Sequence, residues 1–311
     1  MKHLLDTLTH WPVLAREVIE GLAVEEDGIY IDATFGRGGH AKQLLEKLGA
    51  NGTLLCLDRD REAITVAEGM KDSRMISRHG AFSNMVHWVE ELHYGGKVSG
   101  VLMDLGVSSP QLDDAERGFS FLRDGPLDMR MDQRQPVSAA GWLRSAREEE
   151  IARVLRVYGE ERFSGRIAAA IVRERKLTPI VTTARLATIV SEANPRWEKH
   201  RHPATRTFQA IRILINRELE ELTEGLEQML NILKVGGRLA VITFHSLEDH
   251  RVKDFVKKYR GSDMPDWVLL RSGELNRRIR VIGKTIQATA AEINFNPRAR
   301  SAKLRVLEKL V

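Results

Sequence analysis

Three aspartates at the ends of apolar stretches are the first sign of chemistry in this sequence. Asp32, Asp58 and Asp104 each follow such a stretch, and the last two end the runs 53–58 and 98–104. Short apolar runs of this kind are typical of buried parallel strands. Because parallel strands end at a common edge of their sheet, we predict that the three carboxylates meet at one ligand site.

A glycine-rich loop follows the first of these aspartates. Gly36, Gly38 and Gly39 lead into residues 41–48, where apolar residues recur at helical spacing. A strand, a glycine loop and a helix open a nucleotide-binding unit, because glycine lets backbone N–H groups approach a ligand closely. The spacing also fits the dinucleotide fingerprint, with Asp58 placed to bind ribose hydroxyls. The loop therefore predicts an adenosine cofactor and leaves open whether that is a nicotinamide dinucleotide or S-adenosylmethionine.

The elements that position these residues alternate along the first third of the chain. This pattern predicts an α/β fold, a doubly wound Rossmann-like sheet. The predicted strands are 30–32, 53–58, 74–77, 98–104, 238–244 and 301–307. The predicted helices of the sheet region are 13–22, 41–48, 59–69, 86–89 and 207–233, with another that begins at a capping box, 246–249. Residues 261–285 fit no element.

A helical insertion interrupts the alternation after Asp104. Residues 105–135 predict a long functional loop, and the helical stretches 138–146, 148–158, 162–175 and 183–193 follow without a strand between them. We therefore predict a sheet domain in two parts, 1–112 and 206–311, with an inserted all-helical substrate-recognition domain at 113–205.

Composition limits the class of protein. The 311 residues are 42% hydrophobic and 29% charged, and no apolar run approaches the roughly 18 residues that span a bilayer. Cys56 is the only cysteine, which excludes an intrachain disulfide and a cysteine zinc site. The first ten residues do not resemble a signal peptide. We expect a cytoplasmic protein without a membrane partner.

Charge is distributed unevenly along the chain. Residues 251–311 hold 15 Lys and Arg against 6 Asp and Glu, a net charge of +9, within a protein of net charge +5. A basic end on a mildly acidic body indicates a polyanionic partner, nucleic acid first. The basic side chains considered for phosphate binding are Arg277, Arg278, Arg280, Arg298, Arg300, Lys303 and Arg305.

Ten ordered motifs resemble the ribosomal RNA small subunit methyltransferase H family, also called the MraW family. They include Asp-Ala-Thr-Phe-Gly-Arg-Gly-Gly-His at 32–40 and Asp-Gly-Pro-Leu-Asp-Met-Arg-Met at 124–131. The other motifs are 10–14, 57–60, 79–82, 104–119, 158–163, 202–210, 243–249 and 296–301. The resemblance implies transfer of a methyl group from S-adenosylmethionine to N4 of a cytidine in the decoding centre of 16S rRNA, within the small ribosomal subunit.

The resemblance also implies a set of cofactor contacts. These are Gly38, Gly39, His40, Asp58, Phe82, Asp104 and Gln111. The residue types alone indicate the glycines and the two aspartates, and Phe82 is suited to cover an adenine. His40 and Gln111 rest on the resemblance only.

The candidates for catalysis are Asp104 and Ser109. An exocyclic amine is a poor nucleophile, so its methylation needs positioning and an acceptor for an amine proton. Ser108-Ser109-Pro110 partly resembles the short motif that other amine methyltransferases carry at this point. Cys56 lies in a predicted buried strand, which argues against C5 methylation through a cysteine adduct.

Several side chains permit two interpretations. His245, Asp249 and His250 are spaced for a metal, but the capping box accounts for Asp249, so we expect no metal site. His200, Arg201, His202 and Arg206 either bind phosphate or form a polar hinge, and Trp142, Phe163 and Trp197 either stack on bases or pack in a core.

The sequence leaves two rival functions and the oligomeric state open. A nicotinamide-dependent oxidoreductase and a ribosome-assembly factor without turnover are the rival functions. A homodimer is also compatible with the sequence.

Overall fold

The computed structural model describes residues 11–197, 202–261 and 277–311. The chain divides into two compact units. The first unit comprises residues up to Gly106 together with Leu219–Val311, and the second is Val107–Glu218. The predicted α/β class with an all-helical insertion is confirmed.

The helices and strands follow the predicted order. Before the insertion they are α1 (Ala15–Leu22), β1 (Ile29–Asp32), α2 (Gly39–Lys47), β2 (Thr53–Asp58), α3 (Arg61–Gly69), β3 (Met75–His79), α4 (Met85–Glu91) and β4 (Val98–Asp104). The second unit contains α5 (Ser109–Asp113), α6 (Ala139–Ser145), α7 (Glu148–Gly159), α8 (Ser164–Leu177), α9 (Thr183–Ala193) and α10 (Ala204–Asn216). The chain then continues with α11 (Glu218–Ile232), β5 (Leu233–Thr243), α12 (Ser246–Tyr259), β6 (Ile279–Gln287), α13 (Ala290–Phe295) and β7 (Lys303–Lys309).

The first unit is built on a seven-stranded sheet of order β3-β2-β1-β4-β5-β7-β6. The first five strands are parallel, and β7 runs antiparallel to both of its neighbours. Leu44 of α2 and Ala63 of α3 belong to one apolar cluster, and Met85 of α4, Leu226 of α11 and Val252 of α12 belong to a second. The sheet is therefore doubly wound, and the carboxyl ends of β1, β2 and β4 lie at one edge.

The second unit is a helical bundle with its own core. Buried side chains from α7, α8, α9 and α10 form one apolar cluster, to which α10 contributes Phe208 and Ile211. Because α10 packs in this cluster, the second unit continues to Glu218, beyond the predicted limit at 205. It also begins at Val107, ahead of the predicted 113.

Two predictions of local structure were wrong. The single helix predicted at 207–233 is two helices, α10 and α11, because Arg217 between them has φ 50° in the left-handed region. The capping box is one residue earlier than predicted. The Nδ1 of His245 accepts from Glu248 N–H, and the Glu248 carboxylate accepts from His245 N–H.

The unassigned stretch 261–285 also acquires structure where it is described. Residues 279–287 form β6, an edge strand whose pairing with β7 shifts register between Ile282 and Ile286, around Gly283 at φ 68°. Residues 262–276 lie outside the described part of the chain. Every helix of the described residues is too short or too polar to cross a bilayer.

Candidate functional site

Strand pairing brings the three predicted aspartates to one edge of the first unit. In the sheet register, Asp32 is paired with Cys56 of β2 and Leu102 of β4, two residues before the ends of those strands. Asp58 and Asp104 are the last residues of β2 and β4. The predicted convergence of strand-end carboxylates is therefore what the parallel register produces.

Asp58 fixes the conformation of the glycine loop. Its Oδ2 accepts from Gly36 N–H at 2.8 Å, and its Oδ1 accepts from Asp60 N–H at 2.8 Å. Burial raises the pKa of Asp58 to about 6, although these two N–H groups act in the opposite direction. Each carboxylate oxygen keeps a further lone pair, so Asp58 can hold the loop and still accept a ligand hydroxyl.

Glycine is required where the loop turns into α2. Gly38 is the N-cap of α2 with φ 77°, a conformation that costs little only for glycine. A Cβ on Gly38 would lie 2.7 Å from the ring of Phe35, and one on Gly39 would lie 3.1 Å from Pro12. The main chain of the loop is thus closely packed against Phe35 and Pro12. The loop leads directly into the first turn of α2.

Next to the loop lie two acids and one imidazole, which we call the Asp32–His40–Asp104 cluster; Asp32 and His40 are buried, and Asp104 is partly exposed. The Nε2 of His40 is 3.6 Å from Asp104 Oδ2. Four buried atoms of the cluster have no hydrogen-bond partner within the described residues. They are Asp32 Oδ2, both ring nitrogens of His40 and Asp104 Oδ1. Burial raises the pKa of Asp32 to about 7, and the nearby His40 opposes that rise.

Thr34 connects the two acids of this cluster and was missed by the sequence analysis. Its N–H donates to Asp32 Oδ1 at 3.2 Å, and its hydroxyl accepts from Asp104 N–H at 2.7 Å. The only feature of the sequence that points to Thr34 is its position between Asp32 and the glycines of the loop. A buried polar group without a partner costs free energy, so the atoms left over in this cluster suit a ligand that donates hydrogen bonds and carries positive charge.

Phe82 lies half-buried after β3, where an aromatic was predicted to cover a base. Its ring approaches Gly225 of α11 so closely that a Cβ there would lie 2.6 Å from Phe82 Cδ2. The ring is therefore packed against a helix that lacks a side chain at this point.

Gln111 and Ser109 belong to the second unit, in α5. Ser108 is the N-cap of this short helix, and Gln111 is buried and completes a capping box by accepting from Ser108 N–H at 3.0 Å. Ser109 is the first helical residue and is partly exposed. The side chain of Gln111 thus has a structural task whether or not it contacts a cofactor.

A pocket lined by three arginines, one histidine, one phenylalanine and the acid Glu161 is present in the second unit. Arg162, Arg196, Arg206 and His202 line it together with Phe163. The ring of His202 lies 4.5 Å from that of Phe121 and 6.1 Å from that of Trp197.

Trp197 is 65% exposed beside this pocket, whereas Trp142 donates from Nε1 to Glu150 and packs against the helical core. Arg162, Arg196 and Phe121 were not predicted, because they are scattered along the chain. His200 and Arg201 lie outside the described residues.

Several basic side chains of the C-terminal region form ion pairs. Arg305 and Lys253 each reach the buried carboxylate of Asp249 at 2.8 Å, and Lys303 lies at 3.5 Å. Although burial opposes ionisation, the bonds from Lys253 and Arg305 lower the pKa of Asp249 to about 2.

Asp249 therefore serves an ion-pair network rather than the metal site considered from the sequence. Glu308 engages Arg280 in a second ion pair. Arg298 and Arg300 are exposed. His250 Nδ1 is bonded to Ser246 O at 2.7 Å.

Comparison with known proteins places these features in one family. The model of the MraW methylase family matches residues 7–310. Proteins named Ribosomal RNA small subunit methyltransferase H are 53% identical in Coxiella burnetii, strain RSA 493, and 52% identical in Legionella pneumophila, strain Paris. Both alignments cover 97% of this chain and 99% of the relative.

A solved rRNA methylase from Streptococcus thermophilus is 13% identical, with a TM-score of 0.43 and coverage of 95% of both chains, a likeness too distant to bear on function. The match over nearly the full length, together with relatives that are more than half identical, shows that this chain belongs to the MraW methylase family.

Proposed function

We propose that this protein transfers a methyl group from S-adenosylmethionine to N4 of a decoding-centre cytidine in 16S rRNA. The observation that carries the proposal is the 53% identity, over 97% of the chain, to proteins named Ribosomal RNA small subunit methyltransferase H. The protein is a methyltransferase of ribosomal RNA. The choice of cytidine N4 and of the decoding centre comes from the family resemblance of the sequence.

The methyl donor is S-adenosylmethionine, and the first unit has the groups to hold it. Asp58 binds the ribose hydroxyls, and Phe82 packs against the adenine. The backbone N–H groups of Gly39 and His40 bind the carboxylate at the start of α2, and Gly38, whose own N–H donates to Phe35 O at 2.8 Å, forms the turn that presents them. Asp32 Oδ2 and Asp104 Oδ1, which have no hydrogen-bond partner within the described residues, suit the ammonium and the sulfonium, because both ligand groups are cationic. Gln111 is a further proposed contact.

When bound, the donor supplies a methyl group on a positively charged sulfur. The amine N4 would form a bond to that methyl carbon as the carbon–sulfur bond breaks, the thioether S-adenosylhomocysteine would leave with the electron pair, and N4 would then lose one of its protons. Asp104 is our proposed acceptor for this proton, because its Oδ1 lies at the carboxyl edge of the sheet and has no partner among the described residues. His40, 3.6 Å from Asp104, orients the carboxylate. Ser109 is proposed to hold the amine through its hydroxyl.

The second unit supplies the substrate surface in this proposal. Three guanidinium groups and the imidazole of His202 line one pocket, with the exposed ring of Trp197 next to it. Guanidinium groups bind phosphate, and aromatic faces stack on unpaired bases. Such a surface suits a single-stranded stretch of rRNA whose target base leaves its stack.

The decisive experiment is methyl transfer from labelled S-adenosylmethionine to small subunits from a strain that lacks this enzyme. We expect one methyl group per subunit, recovered as N4-methylcytidine after digestion to nucleosides. The Asp104→Asn variant serves as the inactive control. A different methylated nucleoside would refute the proposed specificity.

Two rival functions predict different outcomes. An assembly factor without turnover would bind the subunits and transfer no methyl group. An oxidoreductase would bind NAD and not S-adenosylmethionine in a calorimetric titration. We expect binding of S-adenosylmethionine with a micromolar Kd and no measurable binding of NAD.

A further inference from the structure

Two segments from opposite ends of the sequence lie together in the first unit. Leu14 N–H donates to Glu292 Oε1 at 2.7 Å, and Asn296 Nδ2 donates to Trp11 O at 3.3 Å. Both segments carried motifs, 10–14 and 296–301, that the cofactor site does not use.

The base of this junction is rigid. Leu14 and Ala299 are buried in one apolar cluster. Asn296 Oδ1 accepts from Arg298 N–H at 3.2 Å and caps the 3-10 turn Pro297–Ser301. Pro12 packs against Gly39 at the start of α2. The junction is therefore fixed to the glycine loop of the proposed cofactor site.

Exposed side chains of two chemical types, aromatic and cationic, lie on this base. Trp11 is 54% exposed and Phe295 is 67% exposed, and Arg298 and Arg300 are exposed on the adjoining turn. We call these four residues the terminal surface. Two large exposed rings grouped with two guanidinium groups are typical of an interaction site.

The combination of aromatic rings and guanidinium groups indicates which class of molecule this surface binds. Aromatic faces stack on bases of any sequence, and arginine contacts the phosphates between them. A second copy of this chain is a poorer occupant, because a two-fold interface through this surface would bring four arginines, Arg298 and Arg300 of both copies, into one contact area. Charge complementarity therefore favours a polyanion that has accessible bases.

We propose that the terminal surface is a second RNA contact, where Trp11 and Phe295 stack on unpaired nucleotides of the substrate and Arg298 and Arg300 bind the adjoining phosphates. This inference rests on the proposed function, since it assigns a further binding surface for the same substrate. It differs from the pocket of the second unit in its residues and in its position beside the glycine loop.

The test compares Trp11→Ala, Phe295→Ala and the double variant with wild type. Alanine substitution of a stacking ring weakens RNA binding by about tenfold per base, so we expect the KM for small subunits to rise about tenfold in each single variant and further in the double variant. The kcat and the Kd for S-adenosylmethionine stay at their wild-type values. Trp11→Phe restores most of the affinity, because a phenyl ring also stacks.

The control is Leu177→Ala, which removes an apolar side chain that is 75% exposed on the second unit and leaves every value unchanged. Thermal unfolding checks that all variants stay folded. Wild-type affinity for subunits in the double variant overturns the proposal. So does a loss of dimer in light scattering without a loss of RNA affinity, which assigns the surface to a second copy.

A second assay separates this inference from the proposed function. Fluorescence anisotropy with a labelled single-stranded oligouridine measures RNA binding without methyl transfer. Weaker oligouridine binding by the double variant supports the terminal surface even if wild type methylates no subunit. If wild type methylates subunits and the double variant binds oligouridine as wild type does, the terminal surface is refuted while the proposed function stands.

Discussion

Buried polar groups are arranged differently at the strand ends of the first unit and in the loop region of the second. In the Asp32–His40–Asp104 cluster, four buried atoms have no partner among the described residues. In the second unit, Asn216 is fully buried and bonded on both sides of its amide. Its Oδ1 accepts from Met131 N–H at 2.8 Å, and its Nδ2 donates to Met129 O at 2.7 Å and to Arg212 O at 2.9 Å.

This difference distinguishes buried polar groups that can bind a ligand from buried polar groups that stabilise the fold. An unsatisfied buried polar atom costs roughly 1–3 kcal/mol, so several at one place are tolerated only where a ligand completes them. The amide of Asn216 instead holds the chain at Met129, whose φ of 63° is unfavourable for a non-glycine residue. Substitution should therefore affect activity in the first cluster and stability in the second.

The largest expected effect is that of Asp104→Asn on activity. The amide has nearly the same shape but cannot accept the amine proton, so kcat should fall by about 10²- to 10⁴-fold. We expect the unfolding temperature to change little, because the native carboxylate has few partners to lose. Single-turnover methylation of small subunits and thermal unfolding measure the two quantities.

Asp254→Asn is the matched control, since Asp254 is an exposed acid of the first unit. Its kcat should equal that of wild type. If Asp104→Asn keeps more than a third of the wild-type kcat, Asp104 is not the proton acceptor, and the cluster has another purpose.

The first unit was predicted more fully from sequence than the second because its evidence is local. A buried strand, a following acid and a glycine loop are contiguous, and the parallel register alone brings Asp32, Asp58 and Asp104 to one edge. The pocket of the second unit depends on Arg162 and Arg196, which lie on different parts of the chain and meet only through the packing of the unit. The spacing of these residues in the sequence does not predict that packing.

The wrong local predictions have a shared physical cause. The break between α10 and α11 places Arg217 in a left-handed conformation that favours glycine, so the sequence carries no helix-ending signal there. His245 acts as an N-cap although serine, threonine and aspartate are the usual choices, which made Ser246 the apparent cap. In both cases tertiary contacts outweigh the local preference of the residue.

A smaller effect, on stability alone, is expected for Asn216→Ala. The substitution removes three hydrogen bonds to backbone groups and leaves those groups buried, which should lower the free energy of unfolding by about 3 kcal/mol. Urea denaturation followed by circular dichroism measures this loss.

The control for Asn216 is Asn231→Ala, because Asn231 is exposed on α11 and alanine favours a helix. This variant should be as stable as wild type or slightly more stable. Equal stability of Asn216→Ala and Asn231→Ala would show that the amide of Asn216 does not hold the loop, and the contrast between the two units would disappear.

The smallest predicted effect is the pH dependence of stability that Asp32 introduces in the ligand-free protein. Burial raises its folded pKa from 3.8 to about 7, so its favourable contribution is complete below pH 4 and is lost as pH rises through 7. Asn216 of the second unit introduces no such pH dependence, because an amide does not titrate. Replacing Asp32 by asparagine likewise removes the cost of ionising a buried carboxyl group. The stability of Asp32→Asn relative to wild type should therefore increase by about 2 kcal/mol between pH 5 and pH 8.

Asp249 provides the opposite case for this measurement. Its pKa is lowered to about 2, so it is charged in both the folded and the unfolded protein at pH 5 and at pH 8. The loss of stability in Asp249→Asn should consequently be the same at both pH values in urea denaturation. If Asp32→Asn shows the same flat profile, its carboxyl is ionised at pH 5 in the folded protein. The cluster would then already be satisfied without a ligand, because an ionised, unpartnered carboxylate could not remain buried at so low a pH.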